Sequence, residues 1–174
     1  VFEAPDIPDS EVYLHDDWGD HKLTDRDDSG TTTYNGVEGV YRPEWAIDAN
    51  SPTAENQKLQ IDAGDRLYTD INFNYNETIR WKLNNVDVSN SGTGTLDYCQ
   101  LFIVAGDVSS VDQERYREGY MVRITKDNGT FLYRVDGDDN RTELISGSSI
   151  STNADITVAR DSNAIWELFI NGSS

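Results

Sequence analysis

Cys99, His15 and His21 have the widest chemical range of any residues in this 174-residue chain, yet none has the neighbours that catalysis requires. Cys99 lies in the apolar run Leu96–Ala105, which predicts a buried, inert thiol rather than a nucleophile. His15 and His21 bracket Asp16, Asp17 and Asp20, but a six-residue separation matches no standard zinc pattern. A Ser-His-acid system would have to use one of these two histidines, and both sit in the acidic opening. Cleavage of a polysaccharide on a strand needs two carboxylates on one face, hence Glu-x-Asp or Glu-x-Glu, because alternate residues share a face. Neither pattern occurs. The expectation is a protein that binds and does not catalyse.

Oxygen-rich clusters suit calcium better than zinc. Two segments qualify, Asp16-Asp17 and Asp136-Gly137-Asp138-Asp139-Asn140, so Asp16, Asp17, Asp136 and Asp138 are the candidate ligands. The competing reading is an acidic, solvated surface. Aromatic rings beside Asn-, Thr- and Gly-rich loops can stack on sugars while amides bind hydroxyls. Tyr34, Asn35, Tyr41 and Trp45 form such a group, with core packing as its rival. Four Asn-x-Ser/Thr sequons, at Asn76, Asn128, Asn140 and Asn171, fall in predicted turns or loops and are possible N-glycosylation sites.

The charge narrows the partners. Lys and Arg number 14 against 32 Asp and Glu, a formal net charge of −18. Such a chain repels a phosphate backbone and an anionic membrane surface alike, so no nucleic acid and no membrane insertion are expected. The acids are 22 Asp against 10 Glu, and the cations 10 Arg against 4 Lys. This bias, with the high acidity, resembles that of proteins from extreme halophiles. In molar salt the Debye length falls to about 3 Å and self-repulsion is screened. Disorder is the other reading of acidity, but 4 Trp, 9 Tyr and 5 Phe argue for a packed core.

The elements that must position these residues read as strands punctuated every 8–12 residues by turns. Residues 1–10, with Pro5 and Pro8, read as an arm or linker, and residues 11–174 as one domain. Strands are predicted at 37–41, 58–62, 66–69, 78–83, 96–105, 120–126, 130–135, 142–146, 156–160 and 165–170. The continuous apolar run 96–105 predicts a central strand. Ala63-Gly64-Asp65, Asp127-Asn128-Gly129 and Asp161-Ser162-Asn163-Ala164 predict hairpins. Val111–Arg117 is the one helical stretch. Trp18, Trp81, Phe102, Tyr120, Phe131, Trp166 and Phe169 are predicted core residues. The fold class is all-β, an antiparallel two-sheet jelly-roll sandwich with at most one short helix.

From Trp81 onward, 119–124, 129–134, 156–161 and 166–172 resemble the second half of a concanavalin A-like jelly roll of the laminin-G type. Asp16-Asp17-Trp18 is similar to the opening of many such domains. The resemblance implies two packed sheets, a frequent calcium, and recognition of glycans or proteins through loops. Asn171-Gly172 reads as a hairpin turn with no strand after it, leaving 165–170 as an open edge. A homo-oligomer, a trimer in a fibre or spike, would cover that edge. The chain opens at Val1 with no secretion-signal pattern, although this fold type is usually exterior. The expected role is therefore receptor or glycan binding on the virion surface of a haloarchaeal virus. The alternatives are a secreted haloarchaeal adhesin or pilus-associated lectin, and the carbohydrate-binding part of a polysaccharide-degrading enzyme.

Overall fold

The computed structural model describes residues 30–34, 37–42, 46–49, 52–55, 58–60, 66–68, 78–88, 98–105, 119–136, 140–150 and 152–172. Among these residues the protein is all-β, with thirteen strands, antiparallel pairing throughout and no helix. Its strands fall into two compact units. The arm at 1–10, the Asp16-Asp17-Trp18 opening and the helical stretch 111–117 lie outside the described residues.

One unit holds β1 (Gly30–Tyr34), β2 (Val37–Arg42), β3 (Ala46–Ala49), β4 (Thr53–Glu55), β5 (Lys58–Gln60) and β6 (Arg66–Tyr68). β1 pairs β2, β3 pairs β6, and β4 pairs β5. The hairpin predicted around Ala63-Gly64-Asp65 is therefore corrected: β5 and β6 do not pair with each other. Glu55 pairs with Lys58, so the β4–β5 loop has only two residues and closes at low entropic cost. That tight hairpin takes β5 as its partner and leaves β6 to pair β3 around it.

The other unit holds β7 (Ile79–Val86), β8 (Tyr98–Ala105), β9 (Gly119–Thr125), β10 (Gly129–Val135), β11 (Arg141–Gly147), β12 (Ala154–Arg160) and β13 (Trp166–Ile170). They form a four-stranded sheet ordered β11-β10-β9-β8 and a three-stranded sheet ordered β13-β12-β7. Both sheets feed one hydrophobic cluster. Ile103, Val122, Ile124 and Leu132 enter it from the first sheet; Ala154, Ile156, Val158, Leu168 and Ile170 enter from the second. Trp81, Tyr120 and Trp166 pack against it, as expected of core aromatics. Trp166 stacks on Trp81 at 5.9 Å and lies 4.3 Å from Tyr120 between ring centroids.

Strand alternation decides which side chains reach that cluster. Leu132 and Leu168 enter it, so their neighbours Phe131 and Phe169 stand on opposite faces of their sheets. Phe169 is nevertheless buried, as is Met121 beside Val122, so both sheets carry apolar residues on both faces. Leu96–Ala105 is corrected likewise: its strand, β8, lies at one end of the described sheet, and β9 and β10 are interior. A continuous apolar run reports two covered faces, not a position within the sheet.

The turns follow the side-chain chemistry around them. The Thr125 hydroxyl donates to the Gly129 carbonyl at 2.7 Å and accepts from the Asn128 N–H at 3.1 Å, closing the β9–β10 hairpin. β7 bulges opposite Asp155, where Asn85 takes φ 55° and donates its N–H to Asp155 Oδ1 at 3.0 Å. Asn171, at φ 51°, accepts from the Asp155 N–H through its side-chain oxygen at 3.0 Å. Gly172 follows at φ 77°. Two successive left-handed residues of the type Asn-Gly are a backbone that turns favour.

In the β12–β13 hairpin, Asp161 Oδ1 accepts from the N–H groups of Ile165 at 2.8 Å and Asn163 at 2.9 Å. These bonds, the one from Ile165 first, hold the Asp161 carboxyl below the usual carboxylate range. A group with a depressed folded-state pKa stabilises the fold above its unfolded pKa of about 3.9, and that contribution is lost as pH falls through the folded value. Thermal melts across pH 2–6 should therefore show a shallower acid-side fall for Asp161→Asn than for the wild type. Parallel curves would contradict this role.

Thr130 is fully buried in β10, and its hydroxyl has no hydrogen-bond partner. A buried unsatisfied hydroxyl costs about 1–3 kcal/mol. Thr130→Val keeps the shape and removes the unpaired group, so it should raise stability by about 1 kcal/mol in urea unfolding. A destabilised variant would mean that the hydroxyl is bonded.

Candidate functional site

The residues singled out in the sequence do not gather into one described site. Tyr34 ends β1 opposite Val37, and Tyr41 lies within β2 opposite Thr31. Both tyrosines thus sit in strands rather than loops, three positions apart along the hairpin, or about 10 Å. Asn35 and Trp45 lie outside the described residues, as do Asp16, Asp17, Asp138 and the sequon at Asn76. Asp136 is exposed, and its Oδ1 accepts from the Asn140 N–H at 3.2 Å, which ties the β10–β11 connection. One oxygen of that calcium candidate already serves the turn. Among the described residues no group of three His, Cys, Asp or Glu converges to hold a metal. Asn128, Asn140 and Asn171 are exposed. Cys99 packs against the hydrophobic cluster, and burial pushes its thiol pKa up, keeping it protonated at neutral pH.

A different group is brought together by the four-stranded sheet, on the face turned away from the cluster. Register places Gln100 of β8, Arg123 of β9, Phe131 of β10 and Ser146 of β11 in one row. The next row runs Phe102, Met121, Tyr133 and Glu143 across the same strands. Directly paired residues share a face, and rows two residues apart lie about 7 Å from each other. Met121 is fully buried within the second row, whereas Gln100, Arg123, Phe131 and Tyr133 are half-buried and Glu143 and Ser146 exposed.

Contacts across the rows define a platform. The rings of Phe131 and Tyr133 lie 5.9 Å apart, tilted by 35°. The Arg123 guanidinium sits over the Tyr133 ring, 5.7 Å from its centroid, within cation–π range. With the Gln100 amide oxygen turned toward it, Arg123 donates to that oxygen from Nε at 3.2 Å and from Nη2 at 2.9 Å. This two-bond contact fixes the guanidinium plane. Burial pushes the Tyr133 phenol pKa up; Arg123 draws it down and Glu143 raises it. The phenol therefore stays neutral at physiological pH and can both donate and accept.

Chemically, the platform carries two aromatic faces, a guanidinium already engaged with its neighbours, an amide, a neutral phenol and a carboxylate. It holds no nucleophile–base pair. Sequence reasoning missed it because Phe131 satisfies the strand period of a core residue. The available signal was Phe131-x-Tyr133, two rings on one face of a strand, but its partners Arg123 and Gln100 are supplied by register alone. Comparison with known protein families, with curated proteins and with solved structures finds no match.

Proposed function

We propose that the chain is a non-catalytic recognition module, a jelly-roll sandwich that binds a surface saccharide through the outer face of its four-stranded sheet. The observation carrying this reading is the Phe131–Tyr133 pair with Arg123 over the Tyr133 ring. Aromatic faces pack against the C–H faces of sugar rings, and the surrounding amide, guanidinium, phenol and carboxylate match their hydroxyls. Such contacts are individually weak. Repetition in a homo-oligomer on a virion or cell exterior raises them by avidity.

A saccharide array probed with the wild type and with Tyr133→Ala tests the reading. The wild type should retain at least one saccharide class, and removing the ring should weaken retention about tenfold, as expected for the loss of roughly 1–1.5 kcal/mol. No retained saccharide, or an unchanged Tyr133→Ala, would overturn it.

A high-salt origin belongs to the same proposal and rests on the net charge of −18. Thermal melts followed by circular dichroism should shift upward from dilute buffer to molar NaCl as self-repulsion is screened. Identical melts would count against this origin.

A further inference from the structure

We propose that Asn140 is an N-glycosylation site, the acceptor of an oligosaccharide from a lipid-phosphate-linked donor. The proposal rests on the exterior location in the reading above and not on the platform. Three sequon asparagines lie among the described residues, Asn128, Asn140 and Asn171, and all are exposed. The sequence makes them alike; the fold does not. A sequon is read through the asparagine carboxamide and the hydroxyl two residues on, so both have to be reachable. At Asn128 the hydroxyl is out of reach. Thr130 is fully buried, and the Asn128 N–H is tied to Thr125 Oγ1 at 3.1 Å within the β9–β10 hairpin. At Asn171 the carboxamide is already in use. Its oxygen accepts from the Asp155 N–H at 3.0 Å, and the Asn171 N–H donates to the Asp155 carbonyl at 2.8 Å, so taking it would detach the end of β13 from β12.

Asn140 has neither obstacle. Asn140 and Thr142 are both exposed. The bonds that hold Asn140 come from its main chain: its N–H donates to Asp136 Oδ1 at 3.2 Å, and its carbonyl accepts from the Asp136 N–H at 3.1 Å. The turn therefore positions the carboxamide without consuming it. In transfer, Asn140 Nδ2 bonds to the anomeric carbon of the saccharide. The bond from that carbon to the lipid phosphate breaks, its electron pair leaves with the phosphate, and one amide proton is released to solvent. β11 begins one residue later, lies at one end of the described sheet and exposes Leu144. A hydrated glycan at its head would shield an edge of the kind that natural proteins blunt.

The test is to secrete the chain from a haloarchaeal host behind a cleavable signal and read the occupancy of each sequon by peptide mass spectrometry. A resident glycoprotein of the same cells is the control for transfer. Most of the Asn140 peptide should carry a glycan. Asn128 and Asn171 should be occupied about tenfold less, because modifying either one requires a hairpin to open locally. Asn140→Gln should remove the mass of that glycan. Thr142→Val keeps the asparagine and should remove it too. Equal occupancy of the three sites, or a bare Asn140 beside a glycosylated resident protein, would overturn the site. The signal imposes the exterior location, so neither result touches the saccharide reading, which the array tests separately.

Discussion

Leu132→Ala is expected to cost about 3 kcal/mol in urea unfolding, whereas Phe131→Ala, one residue away, should cost about 1 kcal/mol. Leu132 is fully buried inside the cluster shared by both sheets, so its truncation removes transfer energy and leaves a cavity beside Val122, its partner on β9. Phe131 stands on the opposite face, half-buried beside Tyr133. Its removal opens no internal void. The two variants should separate again in binding: Phe131→Ala loses saccharide while keeping a cooperative transition, and Leu132→Ala lowers the midpoint. If Phe131→Ala proves the more damaging to stability, the faces of β10 have been assigned the wrong way round.

Gly129→Ala should destabilise by about 3 kcal/mol, for two independent reasons. Gly129 has φ +109°, a conformation that L side chains rarely adopt. A Cβ there would also stand 2.7 Å from the Gly147 backbone oxygen, and a backbone oxygen cannot move without disturbing the β10–β11 ladder. Gly147→Ala provides the contrast. Its Cβ would meet Ile170 Cδ1 at 2.7 Å, the end of a flexible side chain that can change rotamer. That substitution should cost about 1 kcal/mol. Comparable losses from the two alanines would show that close approach alone, without the backbone angle, governs the hairpin.

Local chemistry was legible in the sequence. Asp161 followed by Asn163 and Ile165 makes its own turn through side-chain-to-backbone bonds, and these need no distant partner. Asn171-Gly172 supplies two left-handed residues in succession because the short polar side chain of Asn tolerates that backbone and Gly has no Cβ to clash. The strands from β9 to β13 follow from apolar alternation between such turns, and antiparallel all-β architecture follows from the strands. Tertiary structure decided what alternation leaves open. A period of two divides a strand into two faces but does not say which is inward, and here both faces are apolar. Burial of Leu132 rather than Phe131 in the shared cluster, the place of β8 at one end of the described sheet and the pairing of β6 with β3 each depend on contacts between segments far apart in the chain. The platform is the sharpest case. Gln100, Arg123 and Tyr133 come from three strands and meet only when register aligns β8, β9 and β10, and a slip of one residue would send each strand's side chains to the other face.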